Sequence, residues 1–199
     1  MDRARQFSFE VFVVLACAFG ALAQTVPAIK VTEPNCKLQS VVTTLDKIDF
    51  ANLTLQPRCF IDPDLPLTLR SGKFEWKNEA GGGTATLNDA KILPGGTASE
   101  TRVIITFTLF GCGGSCSQRG YVQVITLVDG HPTIIQELSF DSQAQDTGAT
   151  FDPKRGSLRI VARSNDGSAH CCPEHVDEAL FALENGKFVL KSWKQLPIK

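Results

Sequence analysis

Along residues 36–199, apolar side chains alternate with polar ones far more often than they recur at helical spacing. In residues 102–110, Val103, Ile105, Phe107 and Leu109 share one face while Ile104 and Phe110 lie on the other. This predicts a central strand covered on both sides. Residues 121–128 and 133–140 flank Asp129-Gly130-His131-Pro132, predicting a hairpin with a four-residue loop. Leu158, Ile160 and Ala162 alternate with Arg159, Val161 and Arg163, a strand with one wet face. Residues 179–184 and 187–193 flank Asn185-Gly186, the pair that favours a type I′ turn because both central residues need positive φ.

The rest of the chain gives weaker signals. Leu65, Leu67 and Leu69 lead through Ser71-Gly72 into Phe74 and Trp76, a second hairpin. Gly81-Gly82-Gly83 reads as a break before a short strand around Ala85 and Leu87. Residues 47–50 and 52–55 suggest a strand, although the first stretch also fits a helix. Pro173-Glu174 followed by Val176, Ala179, Leu180 and Leu183 fits a helix too. The hairpin is preferred there because Phe188, Leu190 and Trp193 need a partner strand. Residues 71–77 and 185–191 echo one another, which one turn chemistry used twice explains. The expected fold is mainly β with little helix: an antiparallel meander of hairpins forming a curled sheet or sandwich, stapled by disulfides.

The first 23 residues have the form of a secretory signal. Arg3 and Arg5 precede an apolar stretch, and Ala21-Leu22-Ala23 gives the small-x-small cleavage pattern before Gln24. The stretch is shorter than the roughly 20 residues that span a bilayer. Lipidation at Cys17 is the less favoured alternative, since Leu15 stands where a smaller residue is usual and the chain stays apolar beyond it. Residues 24–35, with Pro27 and Pro34, read as a flexible lead-in, and 36–199 as a single β-rich domain. A secreted or periplasmic address follows.

Charge and cysteine content then acquire meaning. The chain carries 20 Lys+Arg and 21 Asp+Glu, net −1, and the signal removes equal numbers of each sign. That excludes the clustered basic face a nucleic acid requires. Seven cysteines become six once Cys17 is cleaved: Cys36, Cys59, Cys112, Cys116, Cys171 and Cys172. An even set in an oxidising compartment reads as three disulfides. Cys36 and Cys59 stand alone in the first third and are paired. The other four either close locally, as 112–116 and 171–172, or staple two loops together. Cross-linking is favoured because a vicinal pair strains its peptide.

Candidate chemistry is sparse. His170-Cys171-Cys172-Pro173-Glu174-His175 holds N and S donors suited to zinc or copper, but oxidised cysteines would leave only histidines in a polar loop. Gly111-Cys112-Gly113-Gly114-Ser115-Cys116 lacks the Lys-Ser/Thr of a phosphate loop and the two-residue spacing of a redox pair, and reads as a turn between strands. No Gly-x-Ser-x-Gly is present. Asp141, Asp146 and Asp152 fit no EF-hand spacing, and Asn52-Leu53-Thr54 is a glycosylation sequon in a eukaryotic host. No catalytic residue, metal or cofactor is assigned. His131, His170 and His175 are candidate residues of recognition loops.

Asp166-Gly167, Cys171-Cys172-Pro173 and Asn185-Gly186-Lys187-Phe188, following the hairpin within residues 120–140, resemble the C-terminal part of bacterial exported proteins of the LppP/LprE lipoprotein type. The resemblance implies a β-rich envelope or secreted protein with no established activity. It supplies no catalytic residues, and the missing lipobox sets this chain apart. The expected function is non-enzymatic binding of an unknown protein or ligand in the envelope or outside the cell. The alternative is a small metal-dependent hydrolase or redox protein using residues 170–175.

Overall fold

A computed structural model describes residues 26, 28–38, 42–55, 67–78, 81–97, 99–113, 115–142, 147–164 and 175–197. Its strands are β1 (Ile29–Thr32), β2 (Cys36–Lys37), β3 (Thr54–Leu55), β4 (Leu67–Thr68), β5 (Lys73–Asn78), β6 (Gly81–Leu93) and β7 (Arg102–Gly113). They continue with β8 (Ser115–Val128), β9 (His131–Asp141), β10 (Gly148–Asp152), β11 (Ser157–Ser164), β12 (His175–Glu184) and β13 (Lys187–Pro197). Two 3-10 turns, Leu45–Lys47 and Phe50–Asn52, are the helical elements among the described residues. No described helix is long and apolar enough to cross a membrane.

All pairings are antiparallel. The larger sheet runs β1-β9-β8-β7-β6-β5, with β2 also on β9; the second runs β10-β11-β12-β13; β3 and β4 form a small pair. The order of each sheet is linear, so the curled form expected as one option is not what the chain adopts. β7 is central, as its two-sided apolar pattern predicts. Val103, Ile105 and Phe107 enter one core with Tyr121, Ile125 and Ile134, covered by Leu38, Leu45, Phe50, Leu53 and Leu69. Ile104 enters the other core with Val122, Val124, Leu138 and Phe140, against Leu158, Ile160, Ala162, Ala179, Phe181 and Phe188 of the four-stranded sheet. The larger sheet is thus the middle of three layers. Each fully buried aliphatic side chain there contributes about 1.5–3 kcal/mol of transfer free energy.

A bulge in β9 sets how the layers join. Val124 pairs with Gln136 but Ile125 pairs with Ile134, leaving Ile135 as an extra residue. Side chains two apart on a regular strand share a face; the extra residue sends Ile134 and Gln136 to opposite faces. Gln136 therefore reaches the second sheet. Its Nε2 donates to the Phe188 carbonyl at 2.9 Å, and the Phe188 N–H donates to its Oε1 at 2.7 Å. The side-chain amide acts as a one-residue strand partner for β13, with both residues buried.

Several expectations are corrected. Residues 24–35 are not a lead-in throughout: β1 pairs with β9 from Ile29↔Phe140 to Thr32↔Glu137, and Val26 is buried. Gly81–Gly83 are not a break but the start of β6, where a Cβ at Gly83 would run into the Trp76 indole and the Phe110 carbonyl. Ser71 and Gly72 have positive φ, as expected of the turn, but β4 and β5 meet only in an Arg70↔Lys73 bridge and then join different sheets. The strand suggested by residues 47–50 and 52–55 is two 3-10 turns and the two-residue β3. Residues 175–184 form the predicted strand rather than the competing helix, and Asn185 and Gly186 take φ of 51° and 78°.

Gln136→Leu keeps volume but orphans the buried Phe188 N–H and C=O, each costing about 1–3 kcal/mol. Urea unfolding is expected to show a loss of about 2–4 kcal/mol at unchanged m-value; a loss below ~0.5 kcal/mol would show that the clamp does not join the sheets.

Candidate functional site

The described residues enclose an open groove of about 640 Å³ at the end of the larger sheet where β8 turns into β9. Val42, Thr43, Thr97, Ser99, Leu127, Asp129 and Gly130 line it. Three separate pieces of chain build it, and hydrogen bonds fix each piece.

The floor comes from the β8–β9 turn. Asp129 and Gly130 both have positive φ, 51° and 75°, so the turn has two residues rather than the predicted four, and His131-Pro132 already belong to β9. The second piece follows β2: Leu38 N–H donates to the Pro132 carbonyl at 2.8 Å and Val42 N–H to the Gly130 carbonyl at 3.2 Å. These bonds hold Val42 and Thr43 against the turn.

The third piece precedes β7. Thr97 N–H donates to Glu100 Oε2 at 2.9 Å while the Thr97 carbonyl accepts from the N–H groups of Glu100 and Thr101 at 3.1 Å. This local closure resembles a capping box. Arg102 Nη1 then donates to the Ser99 carbonyl at 2.6 Å and to Thr126 Oγ1 at 2.7 Å. Thr126 Oγ1 lies 3.1 Å from the Ser99 carbonyl and 3.2 Å from that of Thr101. Burial lowers the Arg102 pKa, and Glu100 nearby opposes the shift. The same guanidinium packs on the Asn185-Gly186 turn, where any Cβ on Gly186 would collide with it. One arginine therefore ties the groove wall to the second sheet.

The lining offers three hydroxyls, from Thr43, Thr97 and Ser99, and the exposed Asp129 carboxylate, above the apolar Val42 and Leu127. Thr97 Oγ1 and Ser99 Oγ lie 3.1 Å apart. The groove can hold a small molecule, and among the described residues its lining includes no paired carboxylates, histidine or thiol.

The histidines are separated. His131 opens β9 beside the groove, whereas His175 opens β12 at the far end. Two contacts establish this: Asp177 Oδ2 accepts from Ala28 N–H, next to the Ile29↔Phe140 end of β9, while Gly186 meets Arg102 near Thr126. Roughly 30 Å of β9 separates the two ends. His170, Cys59, Cys171 and Cys172 lie outside the described residues. Cys112 and Cys116 are direct partners across the β7–β8 ladder. Among the described residues, no three His, Cys, Asp or Glu side chains gather as a metal site.

Sequence reasoning missed Thr43, Thr97 and Ser99. The Thr97-x-x-Glu100 spacing was the available signal for a rigid local turn. The wet face of β11 is as read: Arg159 Nε and Lys194 Nζ hold Glu178 at 2.6 and 2.7 Å. Val161 on that side is nevertheless buried.

Two measurements follow. Arg102→Met removes the cation that fixes Ser99 while keeping the stem, and hydrogen exchange in residues 97–102 should rise at least tenfold; unchanged exchange would show that the wall stands without it. Lys194 first, then Arg159, holds the Glu178 carboxyl below its ordinary 4.5. Its contribution is complete above pH 4.5 and disappears as pH falls through the lowered folded-state value. Glu178→Gln should flatten the acid limb of the stability curve below that pH, and an unaltered limb would exclude the ladder as its source.

Searches against family models, curated proteins and solved structures find no match to this chain.

Proposed function

We propose that the chain is an exported, disulfide-stabilised β protein that binds a small ligand without transforming it, and that the groove at the Asp129–Gly130 turn is the binding site. The observation that carries this is the groove itself. Its volume falls within the several-hundred-Å³ range of small-molecule sites, and its three walls are fixed by hydrogen bonds within the chain. Pre-organisation of this kind lowers the ordering cost of binding.

Export is supported by the Arg3/Arg5, apolar and Ala21-Leu22-Ala23 sequence, and the LppP/LprE resemblance points to a bacterial envelope setting. For the covalent framework, Cys36 and Cys59 stand alone in the first third of the sequence and are paired. The Cys112↔Cys116 register now favours closure within the β7–β8 hairpin over the cross-link between loops. Opposed residues on antiparallel strands lie about 4.5–5.5 Å apart at Cα, inside the range a disulfide bridges. Cys171 and Cys172 then remain for each other.

The full chain, produced in a secreting host, should be recovered with Gln24 at its N-terminus and six cysteines that resist alkylation until reduced. A thermal-shift screen of that protein against small polar metabolites should yield hits abolished by Thr43→Trp, which fills the groove from an exposed position with a change of about 0.5 kcal/mol or less in intrinsic stability. Free thiols would overturn the framework. An empty screen, or hits indifferent to Thr43→Trp, would overturn the binding assignment.

A further inference from the structure

Resting on the assignment of the groove as a binding site, we infer that its ligand is a short neutral oligosaccharide, lying along the groove and into the depression beside it. A second hollow of about 280 Å³, lined by Val42, Lys47, Ile48, Asp49, Asn52, Leu53 and Thr54, shares Val42 with the first. Lys47 Nζ donates to Thr43 Oγ1 at 3.2 Å, so the side chains of the two hollows are joined by a hydrogen bond at their boundary. The two adjoin at Val42, an arrangement suited to a linear ligand.

The lining selects the chemistry. Among the described residues no cation lines the larger hollow, where Asp129 would repel a phosphate or carboxylate, and in the smaller hollow Lys47 is offset by Asp49. Most of the larger hollow's exposed lining is apolar, but the area is too small to hold a lipid chain. Among the described lining residues there is no aromatic ring to stack on a planar base. The larger hollow offers hydroxyls around one carboxylate on a mainly apolar lining. Sugars match this: vicinal hydroxyls donate to a carboxylate, further hydroxyls exchange bonds with Thr43, Thr97 and Ser99, and a C–H face rests on Val42. Asn52 takes no direct part, because its Nδ2 donates to Asp49 Oδ2 at 2.6 Å and its Oδ1 accepts from Ser71 N–H at 3.0 Å. It shapes the second hollow instead.

The test is an NMR titration of the exported protein with malto-, cello-, xylo-, manno- and chito-hexaose, and with spermidine as the small cation that Asp129 could also attract. One saccharide should move the amides of Thr43, Thr97, Ser99 and Gly130. Asp129→Asn should weaken it about tenfold, since Asn-Gly preserves the type I′ turn while the charge-assisted bonds are lost. Spermidine displacing the saccharides as the groove ligand, shifts confined to other surfaces, or silence from all five sugars would overturn the saccharide assignment. If metabolite hits sensitive to Thr43→Trp exist alongside that silence, the groove remains a binding site for another class. If none exist, both assignments fall.

Discussion

The pair of hydrogen bonds between Gln136 and Phe188 is the constraint around which the two sheets are arranged. Apolar faces attract each other without fixing register or angle, because burial is non-directional. A bidentate amide contact is directional and, inside a dry core, has no water to substitute for it. It places β13 against β9 at one point, and the Arg102–Gly186 contact adds a second point nearby. With the Asp177–Ala28 bond at the other end, two polar contacts and one packing contact define how one apolar face lies on another. The groove inherits this definition, since Arg102 serves both the joint between sheets and the wall that presents Ser99.

Much of the fold was legible because alternation reports burial directly. The two faces of β7, the Asn185-Gly186 turn and the strand at 175–184 could be read from side-chain parity and positive-φ residues alone. What could not be read depends on partners distant in sequence. The three glycines at 81–83 resemble a break until Trp76 on the neighbouring strand is known to occupy the space above Gly83. Ile29–Thr32 offers only four residues, and its partner lies a hundred positions away. The bulge at Ile135 has no glycine to announce it, because its purpose is to re-aim Gln136, a side chain whose partner is backbone.

The candidate site was hardly legible at all, for a related reason. Its lining comes from three turns with ordinary surface residues, and hydroxyls and a single Asp carry no spacing rule. Of the conspicuous sequence features that are described, His131 and His175 open different strands and Cys112 and Cys116 lie on the β7–β8 hairpin. Rarity of residue type drew attention to them, whereas concavity arises from how turns meet. The paired lysines of β13 make the complementary point: Lys187, Lys191 and Lys194 sit on Glu33, Glu184 and Glu178, so a strand that looks basic in sequence presents balanced charge.

The strand order carries a consequence for assembly. From β5 to β9 every strand pairs with its neighbour in the chain, and so does every strand from β10 to β13. Such ladders close short loops and can zip as the chain lengthens. β1 and β2 are different, for both wait on β9. Although made before β5 to β8, β1 and β2 are therefore among the last strands to find their place. Until β9 arrives, Leu38 lacks the Pro132 carbonyl that holds it over the sheet, and one core stays open. In a chain made from its N-terminus, one face of the growing sheet therefore stays uncovered until β9 is complete.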